Sequence, residues 1–222
     1  MKPGEICLVL GQPGSGCSTF LKAIANRREG FLAVDGDVSY GGLDAKAMAK
    51  RHRGELLYNA EDDVHAATVR QLLLCGDRKL TLRPQLTVAQ TLGFALKCKT
   101  PKKRLPDETK AQYRATFQDL LLKMLGIAHT KNTVVGSAWV RGVSGGERKR
   151  VSIAEMMVAQ SAVSCFDNST RGLDSSSALQ FVKSLRILAD IFGTACFASL
   201  YQAGQGIYDQ FDKVLLIHEG QM

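Results

Sequence analysis

Residues Glu5–Leu10 form a short apolar run that leads straight into GQPGSGCST, Gly11–Thr19, after which Phe20, Leu21, Ile24 and Ala25 recur at helical spacing through Ser18–Arg28. A strand, a tight glycine-rich turn and a helix in that order commit the chain to an α/β layout, because the helix must pack back on the sheet it leaves. The same turn carries chemistry. Gly14, Ser15 and Gly16 let successive backbone N–H groups close around a phosphate, and a helix beginning near Cys17 points its positive end at the same place. The sequence pattern for such a loop is G-x-x-x-x-G-K-[ST]: Gly11, Gly16 and Ser18 match it, and Cys17 stands where the lysine belongs. Ser18 can ligate Mg²⁺, so the cation and the amides still bind nucleotide. The lost lysine charge should lower both affinity and transition-state stabilisation. A rival reading makes Cys17 a redox or nucleophilic thiolate at a helix N-terminus, but no histidine neighbours it in the sequence.

Further runs extend the layout. Leu32–Tyr40 alternates around Asp35-Gly36-Asp37 and predicts a hairpin, and Leu56–Asn59 predicts a strand. Thr87–Leu125 reads as helical, its second part starting at Pro106-Asp107 with Tyr113, Phe117, Leu120, Leu121 and Met124 on one face and Gly126 as its stop. A helix from Gly146, a strand Ala162–Phe166, a helix Ser175–Ile191, and strands Thr194–Ser199 and Val214–Ile217 follow. Strands alternating with helices predict an α/β P-loop NTPase fold, with a mainly parallel sheet, a small antiparallel β part and a helical subdomain.

A net charge of +8 would suit a nucleic-acid binder, yet the basic residues are spread in short groups with no interleaved aromatics, so nucleic acid is not an expected partner. No apolar run reaches the roughly 18 residues of a membrane span. The six cysteines lack C-x-x-C spacing and read as reduced, mostly buried residues.

Two later stretches are more specific: VSGGERKR, Val143–Arg150, and VSCFDNSTRGLDSSS, Val163–Ser177. Following a phosphate loop in this order, they make the whole chain resemble the nucleotide-binding domain of ATP-binding cassette (ABC) transporters. Ser144-Gly145-Gly146-Glu147 matches the signature motif, Val163–Asp167 matches Walker B, Gly172-Leu173-Asp174 the D-loop, Glu61 the Q-loop position and Tyr201 the switch-histidine position. The Cys17 loop, VRGVSGGERKRVSIAE and DNSTRGLDSSSALQF are most similar to the first nucleotide-binding domain of fungal pleiotropic drug resistance transporters of the G subfamily. The resemblance implies an ABC-type ATP hydrolase that drives export of hydrophobic compounds. It would work at the cytosolic face of a membrane, by expectation the plasma membrane, with ATP and Mg²⁺ as cofactors. Its implied partners are transmembrane domains and a second nucleotide-binding domain that closes head to tail, so that Ser144–Glu147 act on ATP held by the partner. Nucleotide contacts fall on Gly11, Gly14, Ser15, Gly16, Cys17, Ser18, Thr19, Glu61 and Asp174, and Mg²⁺ on Ser18 and Asp167, the latter directly or through water.

The chain departs from the family where hydrolysis is performed. Asn168 replaces the glutamate that polarises the attacking water, and loss of a general base costs roughly 10²–10⁴-fold in rate. Tyr201 replaces the histidine and Glu61 the glutamine. With Cys17, these substitutions imply a site that binds ATP and hydrolyses it slowly or not at all, while the intact signature serves the partner's site. Within a domain expected over 1–222 and incomplete at both ends, 86–160 approximates the helical and signature subdomain. Residues 66–83 read as an insertion, either an unspliced intron or a genuine surface loop. The family's adenine-stacking aromatic is expected upstream of Met1 and its membrane domains beyond Met222. A soluble cassette ATPase acting on DNA or ribosomes is the alternative function, although the long coiled coils or paired cassettes of such proteins are not visible.

Overall fold

The computed structural model describes residues 1–52, 54–60, 86–102, 107–136, 140–200 and 203–221. The chain divides into one unit of Met1–Asp62 and Gln160–Met222 and a second of Asp63–Ala159. The expected insertion at 66–83, together with Glu61 and Tyr201, lies outside the described residues.

The first unit is built on a sheet of β1 (Ile6–Gly11), β4 (Leu56–Asn59), β5 (Val163–Phe166), β6 (Ala195–Ser199) and β7 (Lys213–Ile217) in the order β4-β5-β6-β1-β7. Every pairing is parallel. A parallel sheet must be covered on both faces, and alternation along β5 does this. Cys165 joins Val9, Leu21, Ala25 and Ile217 in a cluster with helix α1 (Cys17–Ile24). The next residue, Phe166, meets Phe181 of helix α6 (Ser175–Phe192) edge to face at 5.9 Å. Burial pushes the Cys196 thiol up to about 12, and burial together with the neighbouring Cys196 and Asp167 raises the Cys165 thiol further, so both behave as small apolar side chains. The described cysteines are all free: Cys7, Cys165 and Cys196 are buried, Cys17 is half-buried and Cys98 is exposed.

Two sequence expectations need correction. Helix α1 stops at Ile24 rather than Arg28, because Asn26 adopts a left-handed φ of 55°. The Asn26 and Arg27 amides then bond back to the Ala23 and Lys22 carbonyls, a Schellman stop with asparagine where glycine is usual. The hairpin lies further along than expected. Strands β2 (Ser39–Tyr40) and β3 (Leu43–Asp44) pair antiparallel around Gly41-Gly42, whose φ values of 59° and 88° suit a two-residue turn, while Leu32 is fully exposed. Asp44 then caps helix α2 (Ala45–Arg51) by accepting the Ala47 N–H.

In the second unit the long helical block is two helices, α3 (Val88–Lys99) and α4 (Lys110–Met124), each opened by a reciprocal capping box, Thr87 with Gln90 and Thr109 with Gln112. Gly126, with φ 65°, ends α4 as expected, but the buried residues are Leu121, Leu122 and Leu125, and Leu120 is exposed. Helix α5 (Gly145–Ala159) packs on α3. No helix among the described residues is long and apolar enough to cross a membrane.

Candidate functional site

Parallel pairing brings the carboxyl ends of β1, β4, β5 and β6 to one edge of the sheet, the edge where open α/β folds present ligand-binding residues. Gly11 leaves β1 there. A Cβ on Gly11 would stand 2.2 Å from Ser15 Oγ and 2.6 Å from the Ile217 carbonyl oxygen, so the loop can close this tightly only around a glycine. Gly14 and Gly16 hold φ values of 86° and 105°, the conformation that lets a loop's N–H groups converge on an anion. The Ser15 N–H returns to the Gln12 carbonyl at 2.9 Å, and the Ser15 carbonyl accepts the Gly220 N–H at 3.0 Å.

Cys17, at the first turn of α1, is half-buried against the core cluster, and its Sγ lies 3.5 Å from Ser15 Oγ. Its other side lines the depression described below. One residue on, Ser18 Oγ donates to Asp167 Oδ1 at 3.0 Å across the gap between α1 and the end of β5.

Asp167 is only 5% exposed and is fully engaged. Besides Ser18, Ser199 Oγ donates to Oδ1 at 2.8 Å and Tyr58 OH donates to Oδ2 at 2.6 Å. Lys22 of α1 lies 6.0 Å over the Tyr58 ring. Asn168 takes a left-handed φ of 45° and gives its N–H to Ser199 Oγ at 3.0 Å, which carries the chain away from β5 toward the loop mouth. A depression of about 910 Å³ opens here, floored by Gly14, Gly16, Ser18 and Thr19 and walled by Asn168 and Arg171. That is the size of a small-molecule site.

The residues fit a nucleoside phosphate with a hard divalent cation. Converging glycine amides suit the anion, and the Ser18 hydroxyl beside the Asp167 carboxylate supplies oxygen donors of the kind Mg²⁺ takes. No cluster of three or more His, Cys, Asp or Glu that could hold a metal occurs among the described residues. Asp174 stands apart from the depression's lining: its carboxylate caps α6, accepting from the Ser176 and Ser177 amides at 3.2 and 3.1 Å. Tyr58 and Ser199 were not anticipated from sequence, because only the sheet register sets them beside Asp167.

In the second unit Ser144 opens α5. Ser144 N–H donates to Glu147 Oε2 at 2.7 Å and Glu147 N–H to Ser144 Oγ at 3.3 Å, a capping box whose S-x-x-E pattern is legible in SGGE. The other Glu147 oxygen lies 2.7 Å from His129 Nε2. Burial raises the Glu147 carboxyl, but the Ser144 amide, His129 and the Ser144 hydroxyl outweigh it and leave the group below its ordinary value. The amides of Gly145 and Gly146 fall in the first turn, outside the helical ladder. Gly142 abuts Gly136 so closely that a Cβ would sit 2.5 Å from the Gly136 backbone, and Val143 N–H is tied to the Val134 carbonyl at 3.1 Å. Together these contacts fix the approach to Ser144.

A family model described as ABC transporter matches residues 1–171. The chain belongs to the ABC transporter family. It is 56% identical over 221 residues to ABC multidrug transporter I of Aspergillus fumigatus, a match covering 100% of this chain and 14% of that protein. ABC multidrug transporter atrF of Aspergillus flavus is 53% identical over 222 residues, with 100% of this chain and 13% of that protein covered. ABC transporter G family member 21 of Dictyostelium discoideum is 48% identical over 221 residues, again with 100% and 14% covered. The chain thus spans about one seventh of the length of these curated relatives, the 14% share of the first of them.

Proposed function

We propose that the chain is an ATP-binding domain of an exporter of hydrophobic compounds, holding ATP with Mg²⁺ in a site that hydrolyses it slowly or not at all. The observation that carries this reading is the pairing of a well-formed glycine loop with a neutral residue at each catalytic position within reach: Cys17 in the loop and Asn168 beside Asp167. The Gly14–Gly16 amides bind phosphate oxygens, Ser18 and Asp167 hold Mg²⁺, and Tyr58 and Ser199 orient the Asp167 carboxylate. The Mg²⁺ that Ser18 and Asp167 would hold would supply positive charge against the phosphates. Asn168 orients through its amide but accepts no proton, so water is not activated from this position. Glu61 and Tyr201 belong to the same proposal on sequence grounds alone.

Ser144, Gly145, Gly146 and Glu147 act in the opposite sense. The exposed Ser144 hydroxyl and first-turn amides form an anion-binding helix terminus, offered to ATP bound by a second nucleotide-binding domain. Transmembrane domains, a cytosolic-face location and the plasma membrane complete the proposal, supported by relatives whose names are those of multidrug transporters. In the full-length transporter, Ser144→Ala or Gly145→Asp should abolish most ATPase activity, and Cys17→Ala should cost far less. Equal losses would refute the division of labour.

A further inference from the structure

We infer that Arg171 supplies to the bound phosphates the positive charge that Cys17 withholds. This rests on the reading that ATP occupies the Gly11–Thr19 loop. Among the described residues lining the depression, Arg171 is the one with a charged side chain; the others near the loop, such as Gln12, Thr19 and Asn168, are neutral. The nearest cation on α1, Lys22, lies over the Tyr58 ring and does not line the depression.

The backbone that carries Arg171 is anchored to the loop it would serve. Arg171 N–H bonds the Asn168 carbonyl at 3.0 Å, Asn168 N–H bonds Ser199 Oγ at 3.0 Å, and Ser199 Oγ bonds the same Asp167 oxygen that accepts from Ser18, at 2.8 Å. Past Arg171 the chain is pinned again, by the Leu173 N–H to the Thr170 carbonyl at 3.1 Å and by Asp174 at the start of α6. Arg171 is itself exposed, so its guanidinium is not buried beforehand and exchanges its contacts within the protein for phosphate when nucleotide binds. A guanidinium presents paired N–H groups that match two phosphate oxygens, a geometry an ammonium lacks. Among the described residues lining the depression, no other side chain brings a positive charge to the phosphates.

The test uses the full 222-residue chain, titrated with a fluorescent ATP analogue and competed with ATP, ADP and AMP. Arg171→Gln should weaken ATP binding by about tenfold, the loss of one charge-assisted contact, with a smaller loss for ADP and none for AMP. Arg171→Lys should keep most of the affinity, and Cys17→Lys introduced into the Arg171→Gln background should recover it by restoring the charge at the loop. Unchanged ATP affinity in Arg171→Gln would overturn the assignment, as would equal weakening of ATP and AMP, the mark of a structural lesion. If the unaltered chain binds no ATP, the nucleotide reading itself fails, a result distinct from either of these.

Discussion

Replacing Tyr58 by phenylalanine removes the 2.6 Å bond to Asp167 Oδ2 and leaves the ring in place. The carboxylate is 5% exposed, and its other oxygen keeps the Ser18 and Ser199 hydroxyls at 3.0 and 2.8 Å. A hydrogen bond to a charged group is worth about 1.5–3 kcal/mol, and the partly buried phenol site admits little compensating water, so a loss of ~2 kcal/mol is expected. For a domain of this size that lowers Tm by about 4–8 °C. Tyr40 provides an internal comparison: its OH donates to the neutral Ile24 carbonyl at 2.7 Å, a contact in the ordinary range of about 0.5–1.5 kcal/mol. Calorimetric melting of the nucleotide-free chain should rank Tyr58→Phe as the costlier change. In an Asp167→Asn background the cost of Tyr58→Phe should shrink, since the charge it served is gone. A Tyr58→Phe cost no greater than that of Tyr40→Phe, or one undiminished in that background, would refute the view that Tyr58 holds Asp167.

Gly142→Ala should destabilise the Asp63–Ala159 unit by ~1–3 kcal/mol, because its new methyl meets Gly136 backbone rather than a side chain that can turn away. Melting of the variant checks this, and Gly93→Ala, where nothing lies within 4 Å of the added carbon, serves as control. Acid should unfold the chain through carboxyls held below their ordinary values: Asp212 by the Ile6 amide and Arg186, Asp174 by the Ser176 and Ser177 hydroxyls, and Glu147 in its capping box. Depressed folded values mean the unfolded state binds more protons, so this stability is full above about pH 5 and is lost as pH falls below about 4. Urea midpoints measured across that window should fall steadily, and Asp212→Asn should flatten part of the slope.

Much of the sheet was legible because buried parallel strands are near-continuous apolar runs: Ala162–Phe166 and Thr194–Ser199 read that way from sequence, and the strands run over Val163–Phe166 and Ala195–Ser199. The phosphate loop was legible because few residues other than glycine fit its turns. The hairpin was misplaced because Asp35-Gly36-Asp37 is as good a turn signal as Gly41-Gly42, and only pairing decides between them. Helix α1 was overextended because asparagine, unlike glycine, is a weak stop signal in a string of helix formers. At the site, Ser18 came from the loop pattern and Asp167 and Asn168 from the resemblance to ABC transporters, whereas Tyr58 and Ser199 depend on which strands are neighbours, and His129 on how the turn before α5 folds. Long-range placement of that kind leaves no periodic trace in the chain.

Under the proposed function, ATP bound at Gly11–Thr19 is held and not hydrolysed. The most direct measurement uses the full-length transporter with the partner domain's own catalytic carboxylate neutralised, loaded with radiolabelled ATP and Mg²⁺, freed of excess nucleotide and quenched at intervals. Intact ATP should be recovered over many turnover times of the unmodified transporter, and Asn168→Glu should hasten its conversion to ADP. Rapid conversion to ADP with Asn168 in place would contradict the account.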